Sequence, residues 1–414
     1  MAHWFHRNPL KSASPVSFDA LKLITTNKST QKICGDLKTT RARFLTALTD
    51  PGNSIATIEA AANQYISLLQ GLCCDVGGQG ESQLKNCVNF KWTNSIGGNE
   101  ICEMPDGHFE LVSILCEMGL WFMKHASKMA ANDSVTDDEA KEIHRSLRTA
   151  AGIFQQVKDI SASRLGAGSL PKHADTDPRI LDAYILQCLG EAQEVTVARS
   201  VELKHKPTIT SAVANETSKL FDKAGANLKT IDQGKVAKWR KYLQLKKDIY
   251  LAYAHAFVGE SELNEDQCGK AIRSLKEGEK YYQSAARLCK EYASTRGPGT
   301  TAKPGEHLFF KRLGPIISKR LDKATHENGF IYHQKVPAEP TELESTPQYG
   351  VASPVEFPIP APAPVWTADF LAGFQVSKSQ PKAHGTDAEV EQIKEPEINP
   401  KSSGNKSETG CIVS

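Results

Sequence analysis

From about residue 35 to 330, apolar positions recur at the three-and-four spacing of helices. In "AKEIHRSLRTAAGIFQQVKDI", Ile143, Leu147, Ala150, Ala151, Phe154 and Val157 share one face of a 3.6-residue period. The preceding "NDSVTDDEA" offers Ser134 or Thr136 as N-cap and acids for the first turn. A second long helix is predicted through "PRILDAYILQCLGEAQEVTVARSVELK"; Pro178 suits its first turn and Pro207 starts the next segment. Further helices are expected in "SIATIEAAANQYISLLQGLCC", "HFELVSILCEMGLWFMKHASKMAA", "ITSAVANETSKLFDKAGANL", "AKWRKYLQLKKDIYLAYAHAFVGESELN" and "QCGKAIRSLKEGEKYYQSAARLCKEYA". Strand signals are sparse, with candidates at "PLKSASPVSFDA" and "GGNEICEM". Gly259, Ala271, Leu275 and Gly278 have the small, small, large, small spacing of a tetratricopeptide helix pair. One unit does not make a solenoid, so an antiparallel hairpin with tetratricopeptide-like packing is expected inside a larger helical domain.

The pattern changes near residue 335. "KVPAEPTELESTPQYGVASPVEFPIPAPAPVW" alternates prolines at 358, 360, 362 and 364, which excludes a helix or an internal strand. The run is extended and stiff. It reads either as a ligand for proline-recognising domains or as a strap on the protein's own surface. Tyr349, Val355, Phe357 and Trp366 give a strap something to bury. "WTADFLAGF" reads as a short amphipathic turn presenting Trp366, Phe370 and Phe374. Residues 377–410 offer almost nothing apolar and are expected to be a disordered tether of roughly 30 Å reach. The expected organisation is therefore a helical domain over 1–335, a strap over 336–376, the tether over 377–410 and a terminal motif at 411–414.

Composition narrows the function classes. Charged residues are 24%, apolar ones 40%, and the formal net charge is +2, so no general nucleic-acid surface is indicated. "MAHWFHRNPLKSAS" lacks the apolar core of a secretory signal, and no run is long enough to span a membrane. The ten cysteines include no C-x-x-C pair, and a reducing cytosolic setting with free thiols is expected. No phosphate-binding loop, zinc-protease helix or nucleophile elbow is present, and the twelve histidines fall at no metal-ligand spacing. His144, beside an apolar helix face, reads as structural. "VELKHKP" is either a basic cap complementing a helix dipole or a small docking patch. The expectation is a non-enzymatic protein without metal or cofactor. A helical transferase with an unrecognised site and a tetratricopeptide-type peptide scaffold are the competing readings.

The chain ends "TGCIVS". Cys411, two aliphatic residues and a terminal serine form the C-a-a-X pattern, and serine favours a farnesyl group. Its place at the tip of a polar tether is the context such a signal needs. One prenyl chain gives reversible membrane binding unless a second lipid or a basic stretch assists. Residues 377–410 carry five lysines against six acids and no second cysteine, so membrane residence is expected to be conditional.

At "AHWFHRNPLK", "HRSLRTAAGIF", "AQEVTVARSVELKH", "KWRKYLQLK", "CGKAIRSL" and "ENGFIYHQKVP" the sequence resembles the Bro-domain family, over essentially the whole chain. The resemblance implies a curved, boomerang-shaped, mainly helical domain with a small β element. It implies a monomeric adaptor acting on the cytosolic face of endosomal or nuclear-envelope membranes. It also implies a partner, the C-terminal amphipathic helix of ESCRT-III subunits of the charged multivesicular body protein 4 class, seated in an apolar groove. Carried over residue by residue, the groove positions are Ile209 and Val213, four apart on one helix face, and the polar contacts are Asp137 and Lys141. From the residues alone, Ile209 and Val213 could equally be core. Thr196 stands where a larger relative carries an aromatic residue, implying a smaller apolar patch.

Overall fold

The computed structural model describes residues 4–25, 28–76, 80–98, 100–131, 135–166, 174–344 and 351–374. Its helices are α1 (Asp19–Leu23), α2 (Lys28–Leu48), α3 (Ile55–Cys73), α4 (Gly107–Met129), α5 (Asp137–Arg164), α6 (Pro178–Glu202), α7 (Pro207–Asn227), α8 (Gln233–Asn264), α9 (Cys268–Ser294), α10 (Leu308–Glu327) and α11 (Ala368–Ala372). Local chemistry sets the ends. Thr136 caps α5 in a capping box with Glu139, and Pro178 and Pro207 occupy the first turns of α6 and α7. From α4 to α9 each helix packs on the next. The α8–α9 contact is close at the spaced small residues: a methyl group on Gly259 would meet Leu275, and one on Gly278 would meet the Ala252 carbonyl.

The β element is smaller than the sequence suggests. β1 (Phe90–Thr93) and β2 (Ile101–Met104) form one antiparallel pair, with Trp92 opposite Cys102. The candidate strand "PLKSASPVSFDA" contributes only an isolated bridge from Ala13 to Trp92, supported by bonds from Ser14 N to Lys91 O and from Thr93 N to Ser12 O. Pro9 and Pro15 lack the donors a longer ladder needs, and Asp19 already begins α1. Three helices outside the expected set, α1, α2 and α10, complete the body. α10 runs through Gly314-Pro315; Gly314 faces the ring of Tyr282 on α9, where a Cβ would fall within 2.8 Å.

Residues 4–14 thread into the helical body as an extended arm, and buried ion pairs hold them. Arg7 pairs with Glu191 of α6 at 2.7 Å, and Tyr242 and Gln187 donate to the same carboxylate at 2.8 Å. Trp4 Nε1 donates to Glu194 at 2.8 Å; that carboxylate also meets Lys246 of α8 at 2.7 Å. The Lys246 ammonium lies 3.6 Å from the Trp4 ring centre. Burial pushes Glu194 up to about 7 and Lys246 down to about 8, with their mutual attraction opposing both shifts. Lys11 Nζ lies 3.3 Å from Asp175, and its backbone N–H donates to Glu117 at 2.6 Å. Arg41 pairs with Glu110 at 2.7 Å beneath Trp92 and Tyr65, both of which donate to that glutamate. In each case desolvation is offset by an opposite charge plus further hydrogen bonds.

Past α10 the chain turns back and crosses the helices in reverse order. Arg273 on α9 donates to Ala338 O at 2.7 Å, Thr341 donates to Glu262 on α8, and Asn215 on α7 donates to Glu344 O at 2.8 Å. Ala352 N donates to Gln193 on α6 at 3.0 Å, and Val355 N to Arg148 O on α5 at 2.9 Å. Ala363 N then donates to Ser67 O, and Trp366 Nε1 to Leu68 O, both on α3. Glycines make room: a methyl on Gly152 would lie 1.9 Å from Val355 O, and one on Gly71 would lie 2.0 Å from the Trp366 ring. Trp366, Leu371 and Phe374 are buried, and Phe374 bridges to Thr25. The strap and its terminal helix α11 thus form part of the folded body.

Candidate interaction edge

The four residues singled out on α5 and α7 lie near three helix ends that meet. At the start of α5 the capping box occupies Thr136 and Glu139, leaving Asp137 and Asp138 to project. Asp137 Oδ1 meets Arg199 Nη2 of α6 at 2.9 Å. One turn on, Lys141 pairs with Asp138 at 2.9 Å, and this hydrogen bond raises its pKa above the ordinary lysine value. Both pairs are largely exposed. The C-terminal end of α6 is tied to the start of α7 by a 2.5 Å hydrogen bond between the Ser200 and Thr210 hydroxyls. The turn between them places Lys204 at φ 52° and leaves Lys204, His205 and Lys206 exposed.

Ile209 and Val213 differ in environment. Ile209 is half-buried at the surface, next to Thr210. Val213, one turn further, is only 3% exposed and packs into the main core. Ile209 is therefore the apolar side chain this pair presents outward, and Val213 supports it from below. Thr196 and Arg199 on α6 and Leu203 at its C-cap stand at i, i+3 and i+7; Thr196 and Leu203 are exposed, Leu203 at 56%. Arg199 was not among the sequence-derived candidates; Leu203 lies within "VELKHKP", the stretch read as either a basic cap or a small docking patch. The edge thus combines apolar Ile209 and Leu203 with Asp137, Lys141 and Arg199.

Among the described residues no three His, Cys, Asp or Glu side chains converge on a metal position. His144 is half-buried, and burial together with Arg148 lowers its pKa. Cys73 is buried and Cys74 half-buried, both as free thiols. Cys411 and residues 375–414 lie outside the described residues, as does Ser134.

A stack of helices whose buried charges fasten the chain to itself, with a mixed apolar and charged edge, has the build of a binding scaffold. The chain belongs to the BRO1-like domain family, whose model matches residues 10–374 and so includes the strap. It is 44% identical to the BRO1 domain-containing protein BROX of Danio rerio over the full length of both chains. It is 46% identical to that of Mus musculus, covering 91% of this chain and 92% of the relative. The BROX homolog of Caenorhabditis elegans is 38% identical across both full lengths. Two solved structures share the fold: an ALIX BRO1 CHMP4C complex (TM-score 0.66, 19% identity, 86% of this chain and 96% of that one) and the Bro1 domain described as a basis for endosomal targeting (TM-score 0.64, 18% identity, 91% and 98%).

Proposed function

We propose that this protein is a non-enzymatic adaptor that binds the C-terminal amphipathic helix of ESCRT-III charged multivesicular body protein 4 subunits. It does so at the α5–α6–α7 edge, in ESCRT-dependent membrane budding, sorting or repair. The observation that carries the reading is membership of the BRO1-like family combined with the half-exposed Ile209 at the junction of three helix ends. A partner helix with leucines at i, i+3, i+4 and i+7 seats them on Ile209 and Leu203, while Asp137, Lys141 and Arg199 meet its polar flank. A farnesyl group on Cys411 supplies the membrane contact, on the cytosolic face of endosomal or nuclear-envelope membranes. The lipid is weak by itself, and binding to polymer already on the membrane adds to it through effective concentration.

The test is a pull-down of the full chain with that terminal helix. Ile209→Asp puts a charge where a leucine docks and is expected to abolish capture. Ile209 also supports local packing, so Thr196→Arg serves as a second variant, adding bulk at an exposed position. It is expected to weaken binding about 30-fold or more without changing the melting curve. Undiminished capture by both folded variants overturns the assignment of this edge. Intact mass of the protein from animal cells reads the lipid separately.

A further inference from the structure

Membrane attachment by one farnesyl chain calls for an additional contact, and residues 377–410 are too evenly charged to provide it. The described body has a candidate at the point where the tail leaves it. The last described residue, Phe374, is buried and bridged to Thr25, which fixes where residues 375–414 begin. Two residues from Thr25 lies Leu23, at the end of α1, 84% exposed. α1 packs on α2, whose first two turns carry Lys28 and Lys32, four apart on one face. Both are exposed and unpaired among the described residues. Lys22 is also at this surface, ion-paired with Asp19 at 2.6 Å, and Lys38 lies near enough to Asp19 to help lower its pKa. Over residues 19–38 there are four lysines (22, 28, 32, 38) against two acids (Asp19, Asp36), a balance of +2; Asp369 on α11 is the acid in the strap's terminal helix.

We propose that Lys22, Leu23, Lys28 and Lys32 form a membrane-docking face for an anionic bilayer. Leu23 enters the headgroup region and the lysines meet acidic lipid headgroups. The inference builds on the proposed farnesyl group at Cys411, because the tail brings that lipid to the membrane from a root beside this face. On the tether reading of residues 377–410 the reach is roughly 30 Å, so the same patch of bilayer is within reach of both contacts. Each lysine near an acidic bilayer adds a modest attraction that salt screens.

The experiment is flotation of the full-length chain, farnesylated or unmodified, with vesicles of phosphatidylcholine alone or of phosphatidylcholine with phosphatidylserine. Farnesylated protein is expected to float with both, and several-fold more with the acidic vesicles. Lys28→Glu with Lys32→Glu is expected to reduce binding to acidic vesicles about tenfold or more while leaving binding to neutral vesicles unchanged. The control Lys229→Glu with Lys276→Glu, which makes the same change in net charge elsewhere, is expected to have a smaller effect. Leu23→Ser is expected to reduce binding several-fold. Equal flotation of the Lys28/Lys32 variant and its control, or no preference for phosphatidylserine, overturns the docking face. Cys411→Ser reads the lipid independently: unchanged neutral-vesicle binding removes farnesylation, while a remaining phosphatidylserine preference keeps the face.

Discussion

Acid–base pairs occur in two regions of this molecule, only a few residues apart along α6, and they do different things. Around the N-terminal arm, Arg7–Glu191 and Lys246–Glu194 are closed off from water and fixed by additional donors from Tyr242, Gln187 and Trp4. At the α5–α6–α7 edge, Asp137–Arg199 and Lys141–Asp138 are similarly short but lie in solvent. Charge pairing alone does not distinguish a clamp from a contact surface; burial does. Breaking a buried pair leaves an uncompensated charge in a medium that cannot solvate it, whereas an exposed pair exchanges its partner with water at small cost. The first region is built to stay closed, and the second can exchange its ion pairs with water.

The largest expected effect comes from opening the clamp. Arg7→Ala strands Glu191 and is expected to lower stability by about 3–5 kcal/mol, read by urea denaturation. A comparable effect follows from acid. His6 is buried against Tyr292 and Asn8, and desolvation holds its pKa down at about 3. Because the unfolded chain takes up this proton near pH 6.5, the stabilisation is complete above 6.5 and is lost as pH falls toward 3, by on the order of 4 kcal/mol. Glu117, raised by burial to about 8, acts in the opposite direction, its contribution declining as pH rises from 4.5. The wild type minus His6→Gln difference in stability isolates the histidine; a flat difference between pH 6.5 and 4 removes this account.

Smaller effects are expected where the strap crosses the body. Gly152→Ala forces a methyl against Val355 O and is expected to cost about 1–3 kcal/mol, with faster proteolysis within residues 351–374 as the direct readout. Smallest of all, Asp137→Ala is expected to change stability by less than about 1 kcal/mol while weakening capture of the ESCRT-III helix. If Asp137→Ala destabilises as much as Arg7→Ala, the contrast between the two regions is wrong.

How much of this was legible in the sequence follows from which forces were local. α5 was readable because its apolar stripe, N-cap and acidic first turn all agree. α10 was hidden by Gly314-Pro315, residues that usually interrupt a helix; close packing on Tyr282 explains the glycine but is invisible in one dimension. β1 was too short to declare itself, and the expected strand at residues 9–20 borrows a single bridge from it. At the edge, spacing placed Ile209 and Val213 on one face but not at one depth: α7 sinks into the core within a turn, a consequence of tertiary packing. Arg199 was missed because its partner Asp137 is distant in sequence.

The strap's reversed path has a consequence for synthesis. The segment that fills the furrow beside Gly152 and covers Gly71 is made after every helix it crosses. While the ribosome still holds that stretch in its exit tunnel, the emerging protein carries open seams across its surface. Quality-control factors that sense uncovered apolar surface therefore have a defined interval in which to act, and it ends when Phe374 reaches Thr25.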